Sequence, residues 1–144
     1  MKSRLLLVFA LLGLEFFFSA QAVPQRNEMV SRSGGVERLG LARATMCEAV
    51  RDGKPANGAV VFSTDRERVS CFTAFDPVPE ETQVYHNWFH RDESVARIKL
   101  RLKPPRWSTY SSIQLRESDR GPWRVEIVNE QGRRLETLRF SITD

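Results

Sequence analysis

The sequence predicts an all-β domain that folds as an antiparallel β-sandwich of about seven to eight strands. From Val36 onward no stretch carries a sustained helical stripe of apolar residues. Short segments rich in Val, Ile, Phe, Trp and Thr are instead separated by turn residues. Several of these segments alternate apolar and polar residues, so each strand has one face to bury, and two packed sheets bury all such faces.

The N-terminal segment has the pattern of a secretory signal peptide. Lys2 and Arg4 precede the apolar run 5–14, and Ala20-Gln21-Ala22 fits a small-x-small cleavage motif. We predict a signal peptide over residues 1–22, cleaved after Ala22. The charge of Glu15 disfavours the alternative, an uncleaved membrane anchor. The protein is therefore predicted to be exported, to a periplasm or the extracellular space, with no transmembrane segment in its mature form.

The rest of the chain divides into a lead-in and one domain. Residues 23–35 (VPQRNEMVSRSGG) are polar and end in two glycines, which predicts a flexible lead-in. Residues 36–144 are enough for one domain with a genuine core. The formal net charge of the whole chain, +4, is too small to indicate nucleic acid binding, and export argues against it further.

Strand and turn patterns account for most of the domain. Turns are predicted at Asp52–Pro55, Asn57-Gly58, Asp76–Pro79 and Asn129–Gly132, where glycine allows reversal or proline ends a sheet ladder. The strands between them are predicted near 37–50, 58–63, 68–75, 83–91, 94–102, 106–115, 122–128 and 134–142.

Alternation predicts which side chains face the core. The residues predicted to point inward are Ala96, Ile98, Leu100, Leu102, Trp123, Val125, Ile127, Leu138, Phe140 and Ile142. Leu135 is out of step with the last three, which predicts a β-bulge near the turn before it. Trp88 and Trp123 fit core anchors, whereas the same pattern leaves the role of Trp107 open.

The two cysteines of the chain are predicted to form a disulfide, Cys47–Cys71. An oxidising compartment favours pairing. Two thiolates cannot complete a structural zinc site, which takes four ligands.

Both histidines lie close together, in YHNWFHRDE at residues 85–93. On a helix, positions i and i+4 could share a metal ion, but in a strand four residues span about 13 Å. We therefore predict no metal or cofactor site here. His86 is expected to be a partly buried, hydrogen-bonded imidazole, and His90 to lie at the exposed end of a hairpin.

The sequence contains no motif for nucleophilic catalysis. None of its serines lies in a Gly-x-Ser-x-Gly elbow, and paired cysteines would leave no reactive thiol. Acidic neighbours such as Glu80-Glu81 and Asp92-Glu93 adjoin turns, where solvated carboxylates are expected. We predict that the protein is not an enzyme, and an active site assembled from loops is the least favoured alternative.

A row of basic residues is the most distinctive predicted surface. Arg97, Lys99, Arg101 and Lys103 alternate along one strand face, and Arg106-Trp107 follows. One interpretation is a site for an anionic glycan, a lipid headgroup or an acidic protein. The other is a solvated strand face, or an edge whose charges block sheet-to-sheet aggregation.

Several separated motifs resemble one bacterial family, domain of unknown function 2914. They are His86-x-Trp88, Arg106-Trp107 leading to Ser111-Ser112, and Gly121-x-Trp123-x-Val125 followed by Gly132. The resemblance covers roughly residues 42–142. It implies an immunoglobulin-like β-sandwich in which the tryptophans and the Arg-Trp pair have structural or functional roles. It implies no activity, cofactor or catalytic residue.

The sequence thus predicts an exported, non-catalytic module that binds or supports another cell-envelope component. The alternative is a glycan- or anion-binding module that uses the Arg97, Lys99 and Arg101 row together with Trp107.

Overall fold

A computed structural model of the protein describes residues 37–144. The predicted signal peptide (1–22) and lead-in (23–35) lie outside the described residues. Within residues 37–144, no helix is long and apolar enough to cross a membrane.

The domain is built from nine strands and two single-turn 3₁₀ helices, Thr64–Arg66 and Glu117–Asp119. The strands are β1 (Leu41–Arg51), β2 (Lys54–Gly58), β3 (Val61–Ser63), β4 (Arg68–Phe75), β5 (Thr82–His90), β6 (Glu93–Leu102), β7 (Trp107–Gln114), β8 (Gly121–Asn129) and β9 (Arg134–Thr143).

The strands form two sheets, in the orders β2-β1-β4-β7 and β3-β9-β8-β5-β6. Neighbouring strands are antiparallel except for β3 and β9, which run parallel. The predicted all-β sandwich is confirmed. The strand predicted at 58–63 is shorter, Val61–Ser63. Residues 54–58, predicted as turns, instead form β2, because the chain reverses at Asp52-Gly53, both at positive φ, and returns along β1.

The core lies between the sheets and is centred on Trp88. This side chain is fully buried and meets the ring of Phe140 edge-on, with centroids 6.1 Å apart. Val125 packs beside it from β8, while Met46 and Cys71 close the core from the four-stranded sheet. Such interlocking of two inner faces stabilises a sandwich through burial of apolar area.

The predicted alternation is confirmed in β6, β8 and β9. Leu102, Trp123, Val125, Ile127, Phe140 and Ile142 are buried, and Ala96, Ile98, Leu100 and Leu138 are partly buried. The predicted bulge is also confirmed. Ile127 pairs with Glu136 and Val128 with Arg134, so Leu135 is the extra residue that restores the inward phase of the following positions.

The predicted Cys47–Cys71 disulfide is wrong. Both thiols are free and buried. The register of β1 and β4 places Met46 opposite Cys71 and Cys47 opposite Ser70. Directly opposite residues share a sheet face and successive residues alternate, so the two sulfurs project from opposite faces and cannot be bridged in this register.

Candidate functional site

The outer face of the five-stranded sheet carries the clearest candidate site. We call it the basic face, and it comprises Arg97, Lys99 and Arg101 of β6, Gln83, Tyr85, Asn87 and Phe89 of β5, Arg124, Glu126 and Val128 of β8, and Arg134, Thr137 and Arg139 of β9. The strand register sets these residues side by side. Arg97, for example, pairs with Asn87 and Asn87 with Glu126, while Phe89 pairs with Arg124 and Arg124 with Arg139.

Charge on the basic face is strongly one-sided. Six of its side chains are cationic and one, Glu126, is anionic, whereas the whole chain has 22 basic against 18 acidic residues. The small net charge of the protein therefore conceals a local excess of positive charge, and that excess creates an attractive potential for anions.

Two of the guanidinium groups lie on aromatic rings of β5. The guanidinium carbon of Arg97 is 4.0 Å from the ring centroid of Tyr85, and that of Arg124 is 4.0 Å from the centroid of Phe89. Cation–π contacts of this kind restrict the side chain without using its N–H donors.

Ion pairing divides the cations of the basic face into two groups. Arg124 pairs with Asp92 and Glu126, and Arg134 lies 3.5 Å from Glu126. Across residues 37–144, no carboxylate lies within 4.0 Å of Arg97, Lys99 or Arg101. Their cross-strand partners are Asn87, Tyr85 and Gln83, which are neutral.

The structure separates the end of the predicted basic row from its beginning. Trp107 begins β7 in the other sheet and is 38% exposed. Arg106 lies 3.9 Å from Asp76, and both line a cavity of about 480 Å³ together with Trp107. Lys103 connects the two regions, because its Nζ atom is 5.8 Å from the centroid of the Trp107 ring.

Sequence reasoning missed the contribution of β8 and β9 to the basic face. Arg124 and Arg139 reach the row only because β8 lies between β5 and β9. The outward phase of Arg124 was visible in the alternation of Trp123, Val125 and Ile127. The position of β8 beside β5 was not visible, because pairing between strands that are far apart in sequence leaves no local pattern.

A buried polar network lies between the two sheets, around His86 and Ser111. His86 Nδ1 is 2.8 Å from Ser111 Oγ, which also accepts a hydrogen bond from Trp88 Nε1 at 3.0 Å. On the other side of the ring, Nε2 is 3.2 Å from Thr73 Oγ1, whose hydroxyl donates to the carbonyl of Thr109. The network is satisfied when His86 carries its proton on Nε2 and accepts from Ser111.

This Ser–His contact has the spacing of a catalytic pair but not its accessibility. His86 is fully buried and Ser111 is 4% exposed. Burial lowers the pKa of His86 to about 4, so the imidazole is neutral at physiological pH. A nucleophile must reach its substrate, so we assign the network to the core. Residues 37–144 contain no group of three His, Cys, Asp or Glu side chains that could hold a metal ion.

The other residues of the predicted motifs support the two ends of the sheet. His90 stacks on Trp123, with ring centroids 4.5 Å apart, and its Nε2 lies 3.0 Å from the carbonyl oxygen of Arg120. Trp123 is 4% exposed, and its indole N–H donates to the carbonyl of Asp119. Gly132, at φ +81°, closes the β8–β9 turn by donating to the carbonyl of Asn129.

The strand order defines the class of the protein. Hairpins β5–β6 and β8–β9 lie in one sheet, and β4 pairs with β7 in the other. The chain crosses between the sheets from β4 to β5, from β6 to β7 and from β7 to β8. This is the Greek-key arrangement of an immunoglobulin-like β-sandwich. Residues 81–142 match the model of the family described as protein of unknown function (DUF2914), which confirms the predicted resemblance over β5 to β9.

The chain is also similar to solved structures. An immunoglobulin-like protein from Pseudomonas aeruginosa is 8% identical, with the match covering 74% of this chain and 98% of that chain at a TM-score of 0.49. Among curated proteins, none has a sequence that matches this chain.

Proposed function

We propose that the protein is an exported, non-catalytic binding module that docks an acidic surface of another cell-envelope protein onto its basic face. The observation that carries the proposal is the row Arg97, Lys99 and Arg101, which has neutral cross-strand partners and no carboxylate within 4.0 Å among the described residues. An acidic partner would supply the missing counter-charges. Complementary charge of this kind fixes the orientation of docking and accelerates association.

The composition and shape of the face favour a protein partner. Arginine and tyrosine are enriched at protein interfaces, and here they are stacked on one another. The face is an open sheet of several strands rather than a deep cleft, and small ligands generally require concave sites. Arg97 and Arg124, held against Tyr85 and Phe89, lose less side-chain entropy on binding than free arginines would.

Protection of an exposed edge explains only part of this surface. Strand β6 is the edge strand of its sheet, and charged residues on an edge strand oppose unwanted pairing with other chains. Edge protection requires charge on β6 alone. It gives no reason for Arg139, which has no carboxylate within 4.0 Å among the described residues, to extend the positive surface onto β9, which lies inside the sheet.

Charge reversal tests the proposal. A triple variant, Arg97→Glu, Lys99→Glu and Arg101→Glu, is compared with a control triple, Arg51→Glu, Lys54→Glu and Arg68→Glu, which changes the net charge equally at exposed positions of the other sheet. Crosslinking in the native cell identifies the partner, and binding of the purified partner is then measured for each variant at several salt concentrations.

The expected result is an acidic envelope protein whose affinity falls at least about tenfold with the basic-face triple and changes little with the control triple. The affinity of the wild-type protein should fall with rising salt, because screening weakens exposed charge pairs. Equal affinity of the two triples for that partner, or a partner surface without excess acidic residues, would refute the proposal.

A second candidate is an anionic glycan bound at Trp107. It is favoured by the partly exposed indole, which lines the cavity of about 480 Å³ with Arg106 and also a smaller cavity of about 200 Å³ with Tyr110. Aromatic rings stack on sugars, and Arg106 would pair with a sugar carboxylate or sulfate. Binding on a glycan array that Trp107→Ala abolishes and the basic-face triple leaves unchanged would support this candidate over protein docking.

A further inference from the structure

A small cavity lies at one corner of the basic face, beside the β5–β6 turn. Its volume is about 90 Å³, and its lining includes three arginines, Arg91, Arg124 and Arg139, together with Asp92, Phe89, Pro122 and Trp123. Three guanidinium groups meet one lining carboxylate, and Glu126, which pairs with Arg124, reduces the local excess to one positive charge.

The β5–β6 turn holds two of these residues in place. Arg91 and Asp92 both have positive φ, +47° and +67°, as in a type I′ turn, although neither is the glycine or asparagine that such turns favour. The backbone N–H of Arg91 donates to the carbonyl of Pro122 at 3.0 Å, and its side chain donates to the carbonyl of Arg120 at 3.1 Å. A Cβ at Gly121 would lie 3.1 Å from Arg91 Nε, so the missing side chain makes room for this guanidinium.

The remaining two arginines face each other across strands β8 and β9. Arg124 and Arg139 are directly opposite in the register, and like charges at such positions destabilise a sheet. Asp92 and Glu126 both pair with Arg124. Among the described residues, no carboxylate lies within 4.0 Å of Arg139, so its charge is uncompensated.

We propose that this corner is a binding site for a tetrahedral oxyanion of the phosphate or sulfate type. The three arginines that line the cavity come from a turn and from two different strands, an arrangement that suits an anion with oxygens on several sides. A planar carboxylate is satisfied by a single arginine fork. The small volume admits an oxyanion group but no larger part of a ligand. Bound there, the anion would relieve the repulsion between Arg124 and Arg139.

The site shares Arg124 and Arg139 with the basic face, but it does not involve the row of cations that carries the proposed docking of an acidic protein. It lies on β8, β9 and the β5–β6 turn, and none of Arg97, Lys99 and Arg101 lines the cavity. The charge-reversal triple on β6 should therefore keep oxyanion binding even if it loses the protein partner, and each proposal can fail without the other.

Titration of the isotope-labelled protein with inorganic phosphate, at constant ionic strength set by sodium chloride, tests the site. Chemical shifts of the Asp92 amide and of the Arg124 and Arg139 Nε–H groups are followed by NMR. The variants are Arg139→Gln and, as a matched control, Arg133→Gln, which removes an exposed arginine of the β8–β9 turn that does not line the cavity. Glycerol phosphate and acetate serve as further ligands.

The expected result is saturable binding of phosphate that weakens at least about tenfold in Arg139→Gln and is unchanged in Arg133→Gln. Binding of glycerol phosphate as tightly as phosphate would identify the ligand as a phosphoryl group carried on a larger molecule, and preference for phosphate would identify the free ion. Absence of saturation, acetate binding as tight as phosphate, or equal effects of the two variants would overturn the proposal. Thermal unfolding of Arg139→Gln verifies that the variant is folded.

Discussion

Cys47 and Cys71 belong to paired strands and are one residue out of register, so their side chains point to opposite faces of the four-stranded sheet. Cys71 faces the core beside Met46. Cys47 lies on the other face, where its thiol is 3.7 Å from the carbonyl oxygen of Ser70. An oxidising compartment therefore favours a bond that the strand register forbids.

Both thiols are predicted to stay reduced and unreactive in the folded protein. Burial raises the pKa of each, and only the thiolate reacts. A thiol reagent such as Ellman's should modify neither cysteine in buffer and both after unfolding in urea. The single variants Cys47→Ser and Cys71→Ser should each leave one reactive group in urea. A disulfide-linked peptide pair in a digest of the native, non-reduced protein would contradict this prediction.

Loss of the Ser111 hydroxyl should destabilise the domain far more than loss of the Ser112 hydroxyl. In Ser111→Ala, Trp88 Nε1 loses its acceptor and His86 Nδ1 its partner while both remain buried, so the free energy of unfolding should fall by about 2–4 kcal/mol. Ser112→Ala removes one hydroxyl contact, with Ser70 on the outer face, and should cost about 1 kcal/mol. Urea unfolding at pH 7 measures both, and equal losses would contradict the assignment of Ser111 to the network.

Stability should fall below pH 6.5 because of His86. Its pKa is about 4 in the folded protein and about 6.5 when unfolded, so between these values the unfolded chain binds the extra proton. The contribution of His86 is complete above pH 6.5 and declines as pH falls, by about 3 kcal/mol at pH 4.

Urea midpoints of the wild-type protein and His86→Gln between pH 4 and 7 test this pH dependence. The variant should be less stable at pH 7 but should show a shallower decline toward pH 4. Parallel curves for the two proteins would assign the acid sensitivity to carboxylates instead.

Gly132 is predicted to be required for its backbone conformation rather than for space. At φ +81° an L-residue is strained, yet a Cβ there would meet no atom within 4 Å. Gly132→Ala should lower the free energy of unfolding by about 1 kcal/mol. Gly132→Asn should lower it less, because asparagine tolerates left-handed conformations. Thermal unfolding separates the two, and an unaffected alanine variant would show that the β8–β9 turn can adopt another conformation.

Local patterns predicted those parts of the structure that depend on neighbours in sequence. The inward phase of Ile98, the bulge at Leu135 and the turn at Gly132 all follow from alternation or turn chemistry within about ten residues. The prediction of a Cys47–Cys71 disulfide failed because the register between two strands decides whether two cysteines lie on the same sheet face. The convergence of Arg91, Arg124 and Arg139 was missed because three separate segments supply it.

The uneven distribution of charge gives the molecule a preferred orientation at any negatively charged interface. On a cation-exchange resin, a silica surface or an anionic lipid film, it should adsorb with β6, β5, β8 and β9 downward and the exposed hydroxyl groups of β7, at Ser108 and Tyr110, outward. A label attached to that outward side would stay accessible after immobilisation, whereas one placed beside Lys99 would be masked.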